Sequence, residues 1–334
     1  MKVDGGLMGD LSGASRHAQR LEKIGYHGAV TAETSHDPFF PLLLAAQETE
    51  NIELVTSIAV AFSRTPMNLA NIGHDLNSFS KGRFVLGLGS QIRPHITKRF
   101  SMPWSKPAAR MREFISAMRA IWDCWHNGTP LSFEGDFYTH SLMTPMFTPL
   151  DTEYGAPKVF LAAVGPLMTE VAGEVADGVI IHAFTTQKYL KEVTLPAVEK
   201  GLAKAGRSRD DFEVSYPGFI VTGNTEEEFN ATKQAVCKQI AFYGSTPAYA
   251  PVLGVHGWGD LQPELNALSK QGKWDEMGTL ITDDILEEFA VVAEIDNVVD
   301  KFRNRYDGLV DRTMGSLPAR DDDHAKELLD KLSA

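Results

Sequence analysis

The sequence predicts a (β/α)8 barrel of TIM-barrel type, and three observations carry that expectation. Eight short apolar segments alternate with amphipathic ones along most of the chain, as in a parallel sheet whose strands are joined by covering helices. The segment Arg83–Leu88 is a short, mostly apolar run, as expected of a parallel strand covered on both faces. The glycine-rich turn lies at the fourth segment, Gly87-Leu88-Gly89. A doubly wound open sheet would place its glycines after the first strand, with an acid about twenty residues on, and Met8–Gly13 lacks that fingerprint.

Taken in order, the candidate strands are Lys2–Leu7, Gly28–Ala32, Glu53–Ala59, Arg83–Leu88, Lys158–Ala163, Gly178–His182, Glu213–Thr222 and Gly308–Met314. Between the fourth and fifth, Ser105 before Lys106-Pro107 marks the start of a long helix, and Met111, Ile115, Met118, Ile121, Trp122 and Trp125 recur at helical spacing, reading as core. The irregular stretch Gly128–Gly155 contains Phe133-Glu134-Gly135-Asp136-Phe137-Tyr138, a small hairpin. After the seventh strand, Thr225 followed by Glu226, Glu227 and Glu228 is a capping box opening a helix through about Phe242. Pro247, Pro251, Gly254, Gly257, Gly259 and Pro263 then break the alternation, so residues 244–282 are expected as an irregular insertion between strands 7 and 8. The expected organisation is one barrel domain over residues 1–334.

Composition narrows the function. With 334 residues, 43% apolar and 23% charged, the chain has the balance of an ordinary soluble globular protein. A net charge of -12 disfavours nucleic acid and anionic membrane as partners, so any phosphate must be bound locally. The acidic start and the lack of a long apolar run point to the cytoplasm. Cys124 and Cys237, far apart and each within a helical pattern, read as buried thiols rather than a disulfide. No His-x-x-x-His, Cys-x-x-Cys or Gly-x-Ser-x-Gly spacing is present, which leaves no metal site and little support for a hydrolase.

Barrel chemistry belongs on the loops after the strands. Strand 2 runs into Glu33-Thr34-Ser35-His36-Asp37-Pro38, which puts His36 on that face; an imidazole beside a redox-active ring can move the proton that accompanies hydride transfer. After the strand-4 glycines come Ser90, Gln91, Arg93 and His95. Strand 5 runs into Val164-Gly165-Pro166-Leu167-Met168; with Pro166 as first helical residue, the free N–H groups of Leu167 and Met168 suit a phosphate without any positive side chain. Gly87 and Gly89, lacking Cβ, read as points of close backbone approach to a ligand, and His182 ends strand 6 facing the pocket.

The run Phe79-Ser80-Lys81-Gly82-Arg83-Phe84-Val85-Leu86-Gly87-Leu88-Gly89 resembles the strand-4 region of the bacterial luciferase-like superfamily. The likeness is best over Met1–Trp125 and Val159–Phe219 and poorest over Gly244–Thr282. It implies a luciferase-like TIM barrel with insertion segments, in the coenzyme F420-dependent (deazaflavin) branch. In that branch an active-site histidine follows strand 2, usually after Ser-Asp; His36 matches, with Ser35 in the acid's place. Ser57-Ile58 falls where those enzymes carry a non-proline cis peptide behind the cofactor ring, and Val164–Met168 where they carry an Ala-Ala-Gly-Gly-Pro-like phosphate turn, with Val164 replacing a glycine. The glutamate of the sugar-phosphate dehydrogenases is Ile92 here, which argues against glucose-6-phosphate as substrate. The implied activity is hydride transfer between F420 and a small organic molecule. Two alternatives stay open: an FMN-dependent two-component monooxygenase fed by a flavin reductase, and a non-catalytic flavin-binding protein. A homo-oligomer fits any of these.

Overall fold

In the computed structural model, residues 1–7, 9–314 and 319–333 are described. Eight parallel strands, β1 (Lys2–Gly6), β2 (Gly28–Thr31), β3 (Glu53–Thr56), β4 (Phe84–Gly89), β5 (Lys158–Ala163), β6 (Gly178–Ile181), β7 (Glu213–Tyr216) and β8 (Arg312–Met314), each pair with the next. The register Lys2 against Arg312 returns β8 to β1 and closes the barrel, so the sheet has no open edge. The predicted fold class is the observed one.

Three predicted strands change by more than one residue. Strand 3 halts at Thr56 and resumes as Ala59–Val60, paired with Leu88 and Gly89. The predicted Glu213–Thr222 strand is broken after Tyr216, because Pro217 has no N–H for the ladder and Gly218 adopts a φ of 63° that turns the chain away. Its second half, Phe219–Val221, pairs in parallel with Ala290–Val292 outside the barrel. Strand 8 begins at Arg312 rather than Gly308, since Gly308 (φ 71°) and Val310 still belong to the end of helix Val298–Tyr306, with the Val310 N–H donating to Tyr306 O at 3.1 Å.

The two helix starts marked in the sequence behave differently. In helix Pro107–Asn127 the predicted core positions Met111, Ile115, Met118, Ile121, Trp122 and Trp125 are all buried. Its N-cap is Lys106 with no side-chain bond, so Pro107 starts the helix and Ser105 does not cap it. Thr225 does cap helix Glu226–Gly244: its Oγ1 accepts from the Glu228 N–H at 3.1 Å, while Glu228 reaches back to the Asn224 N–H at 2.8 Å. The predicted hairpin is present as Phe133–Glu134 against Thr139–His140.

Residues 244–282, expected to be irregular, are helical: Ala250–Gly254, Leu261–Lys270 and Trp274–Thr279. The prolines that suggested otherwise sit in first turns, where no intrahelical N–H bond is lost. Val252, Leu253, Leu265 and Met277 form a second apolar cluster with Cys237 and Ile240, and Phe184 and Tyr189 extend it to the segment after β6.

The barrel interior is layered. At the N-terminal end Arg312, only 1% exposed, holds Asp4 through Nη2–Oδ1 at 3.0 Å and Glu213 through Nη1 at 3.2 Å, and also bonds Glu53. Above this charged layer lie Val30, Val55, Val85, Phe160 and Ile180. That apolar plug leaves only the C-terminal mouth available for chemistry. Both cysteines are buried free thiols, and among the described residues no helix is long and apolar enough to cross a membrane.

Candidate active site

Strand alternation builds the floor of the mouth. Side chains two residues beyond the plug share its inward face, so Ala32, Ser57, Gly87, Ala162 and His182 follow Val30, Val55, Val85, Phe160 and Ile180. Four of these five are small, and Ala32 is exposed; the layer above the plug is shallow and open. Ser57 reaches Met314 with Oγ to Sδ at 3.6 Å, spanning β3 and β8. The Ser57–Ile58 peptide is cis.

The strand-4 glycines serve the barrel rather than a ligand, which corrects the sequence reading. A Cβ on Gly87 would lie 1.8 Å from the Thr56 carbonyl oxygen and 2.9 Å from Ile180 Cδ1. One on Gly89 would lie 2.8 Å from Ile58 Cδ1. Both glycines make room for β3 as it turns at Thr56–Ile58.

The loops after β2, β3 and β4 are laced together. The Glu33 carboxylate accepts from the Val60 N–H at 2.7 Å and from Arg64 Nη1 at 2.6 Å, and Arg64 Nη2 bonds Asp37 at 3.1 Å. Arg99, from the loop after β4, donates to Thr34 O. His36 sits exposed between these ties, on a loop held at both sides. Sequence reasoning missed Glu33 and Arg64; the available signal was an acid and a base on consecutive strand exits. Ser90 and Gln91 are half-buried at the β4 exit, where Gln91 takes a φ of 58° and its Oε1 accepts from the Ile92 N–H at 3.0 Å. Arg93 and His95 lie exposed further along that loop.

At the β5 exit, Gly165 is the N-cap of helix Pro166–Val175 with φ -95° and no side-chain cap, and Pro166 is first in the helix. The first N–H to find a carbonyl is that of Thr169, to Gly165 O at 3.1 Å; the groups of Leu167 and Met168 precede it and are the free donors of a helix start. Val164 needs no left-handed backbone, so its replacement of a glycine carries no strain. Nothing lies within 4 Å of a Cβ built on Gly165. This turn lines a groove of about 610 Å³ with Lys106, Ala108, Ala109 and Arg112 from the start of the neighbouring helix; Arg112 is held by Glu174 at 2.9 Å and Glu170 lines the same groove, so Lys106 is the cation beside a turn for which none was expected.

His182 is set apart from that arc. Its ring lies 4.5 Å from Tyr243 and 4.8 Å from Tyr249, centroid to centroid, and Nδ1 accepts from the Phe184 N–H at 3.0 Å. Burial lowers its pKa to about 4, so it is neutral near pH 7. Tyr249 belongs to the 244–282 insertion, which therefore walls the mouth at β6. His256 of the same insertion bonds Thr186 at 2.8 Å.

A closed eight-stranded barrel with a laced C-terminal mouth, an inset turn at Thr56–Ile58 and a free helix N-terminus after β5 defines the class. The chain belongs to the luciferase-like monooxygenase family, whose model matches residues 2–312. It is 56% identical over 314 residues to an uncharacterized protein of Mycobacterium tuberculosis, covering 94% of this chain and 92% of that one. It is 28% identical over 266 residues to the 5,10-methylenetetrahydromethanopterin reductase of Archaeoglobus fulgidus, covering 78% and 75%. Among solved structures, the coenzyme F420-dependent tetrahydromethanopterin reductase of Methanopyrus kandleri superposes with a TM-score of 0.76 at 22% identity, over 98% of this chain and 96% of that one.

Proposed function

We propose that this protein is an F420-dependent oxidoreductase acting on a small organic substrate at the C-terminal mouth of its barrel. The observation that carries the reading is the pairing of a shallow small-residue floor at Ala32, Ser57 and Ala162 with a free helix N-terminus at Leu167 and Met168, on neighbouring strand exits. A planar ring needs the first and its phosphate the second. The relatives named for F420 use, at 26% and 29% identity, support the choice of cofactor.

When bound, F420 supplies a two-electron hydride carrier. The residues of this chain do the rest. Ser57 and Ile58 back the ring, with Ser90, Gln91 and His95 along its β4 side. The N–H groups of Leu167 and Met168 bind phosphate, and Lys106 adds positive potential beside them, Arg112 being held by Glu174. His36 gives or takes the proton of the reaction at an imidazole nitrogen, on a loop whose position Glu33, Asp37 and Arg64 fix.

Titrating the apoprotein with F420 and with FMN, each oxidised and reduced, tests the choice. Saturable F420 binding with weak or no FMN binding is expected. Preference for reduced FMN instead places the protein with two-component monooxygenases, and binding of flavin without turnover of any substrate places it with carriers.

A further inference from the structure

Strand β6 ends in a residue that the cofactor site leaves unused. His182 stands on the inward face at the level where β2, β3, β4 and β5 carry only Ala32, Ser57, Gly87 and Ala162, so at this exit the floor rises into a wall. The Phe184 N–H donates to His182 Nδ1 at 3.0 Å, and burial keeps the imidazole neutral. A neutral imidazole carries one hydrogen, which must then sit on Nε2. Nε2 has no hydrogen-bond partner among the described residues, and the side chain is half-buried rather than sealed in. The mouth thus receives one N–H donor of fixed tautomer.

Aromatic rings frame that donor. Tyr243 meets the imidazole edge-on at an interplanar angle of 78°, and Tyr249 lies tilted beside it at 32°. Phe184 stacks on Tyr249 at 5.7 Å and packs against Phe289 at 4.6 Å, so the wall is backed by the second apolar cluster. Phe219, from beyond the β7 break, meets Tyr243 at 6.4 Å. Charge is missing from all three segments that meet here: residues 182–187, 217–223 and 243–250 contain no Asp, Glu, Lys or Arg. Lys188, just beyond, donates to the Val255 carbonyl at 2.6 Å. A phosphate or carboxylate brought against this wall would lose its hydration without meeting a cation.

We propose, resting on the function proposed above, that His182, Tyr243 and Tyr249 form the subsite for the end of the substrate remote from its reacting carbon, and that this end is an uncharged, ring-bearing group whose oxygen accepts from the His182 Nε2–H. β2 and β6 stand four strands apart in a closed ring of eight, so His36 and His182 rise on opposite sides of the mouth. The two imidazoles therefore serve different ends of one substrate: His36 the carbon that exchanges hydride, His182 an oxygen that takes no part in the exchange. Rings suit the wall because aromatic side chains pack edge-to-face and offset with other rings. Anionic groups belong instead at the β5 exit, where the helix N-terminus offers free N–H donors.

Binding of three probes to the full chain, with and without F420, tests this: para-diacetylbenzene, a ring with oxygen acceptors; para-xylene, the same ring without one; and para-acetylbenzoate, in which a carboxylate replaces one acetyl group. The wild type is expected to bind para-diacetylbenzene more tightly than para-acetylbenzoate. His182→Phe, which keeps a ring and removes the donor, should weaken para-diacetylbenzene about five- to tenfold and leave para-xylene unchanged; His182→Gln, which restores an N–H donor, should recover most of the loss. Tyr249→Ala should weaken both uncharged probes. Tighter binding of para-acetylbenzoate, no binding of para-diacetylbenzene at millimolar concentration, or an equal loss of both uncharged probes in His182→Phe overturns the proposal. Should the variants not fold, nitrogen NMR of the wild-type histidine rings decides: a His182 Nε2 signal that shifts with para-diacetylbenzene and not with para-xylene supports the subsite, and an unmoved signal overturns it. Failure of the cofactor reading is distinguishable, because it appears as absent F420 binding in samples that keep the preference among probes.

Discussion

Thr56 and Gly87 hold each other twice. Thr56 Oγ1 donates to the Gly87 carbonyl at 2.8 Å and accepts from the Gly87 N–H at 2.9 Å, just where β3 leaves its ladder. The side chain replaces ladder bonds at the turn of β3, and the missing Cβ of Gly87 accommodates the Thr56 carbonyl. The floor of the site is thus fixed by backbone fit between two strands.

Gly87→Ala forces a carbon to within 1.8 Å of a backbone oxygen, with no side chain able to yield. We expect a loss of about 3 kcal/mol in urea unfolding. Gly165→Ala, where nothing lies within 4 Å and φ is negative, should cost less than about 1 kcal/mol. Equal stability of Gly87→Ala and wild type would show that β3 and β4 do not meet as described.

His36→Ala should leave cofactor affinity near wild type and lower the chemical rate by about 100- to 10,000-fold, the usual worth of a general acid or base. Single-turnover kinetics with a confirmed substrate separates the two quantities. A wild-type rate makes His36 a loop residue; lost binding makes it a pocket wall.

The barrel was legible in the sequence because eight strands and their helices each carry a period that burial on both faces imposes. The exits of β2, β4 and β5 followed from the same register. The glycines misled because absence of a Cβ does not say what fills the space: Gly87 and Gly89 yield to Thr56 and Ile58, not to a ligand. Residues 244–282 misled because prolines in a first turn and glycines past a last one look, in sequence, like loop. The Glu33–Arg64 pair was hidden because its partners lie 31 residues apart and meet only through barrel closure of adjacent strands.

His182 predicts a pH dependence. Its folded pKa of about 4 lies below the ordinary value near 6.5, so between those values the unfolded chain binds a proton that the folded one refuses. Its contribution to stability is complete above about pH 6.5 and is lost as pH falls towards 4, by up to about 3 kcal/mol. His182→Phe keeps an aromatic ring against Tyr243 and Tyr249 but cannot titrate. Between pH 7 and 4.5 the variant should therefore lose less stability than wild type in thermal unfolding; parallel pH profiles would show that the imidazole is already protonated or not buried.

A crystal structure of the F420 complex tests the central claim most directly. The deazaflavin ring is expected over Ala32, Ser57 and Ala162, with a phosphate oxygen within about 3 Å of the Leu167 or Met168 backbone nitrogen. A ring bound away from the C-terminal mouth, or a phosphate held elsewhere than the Gly165 turn, would contradict it.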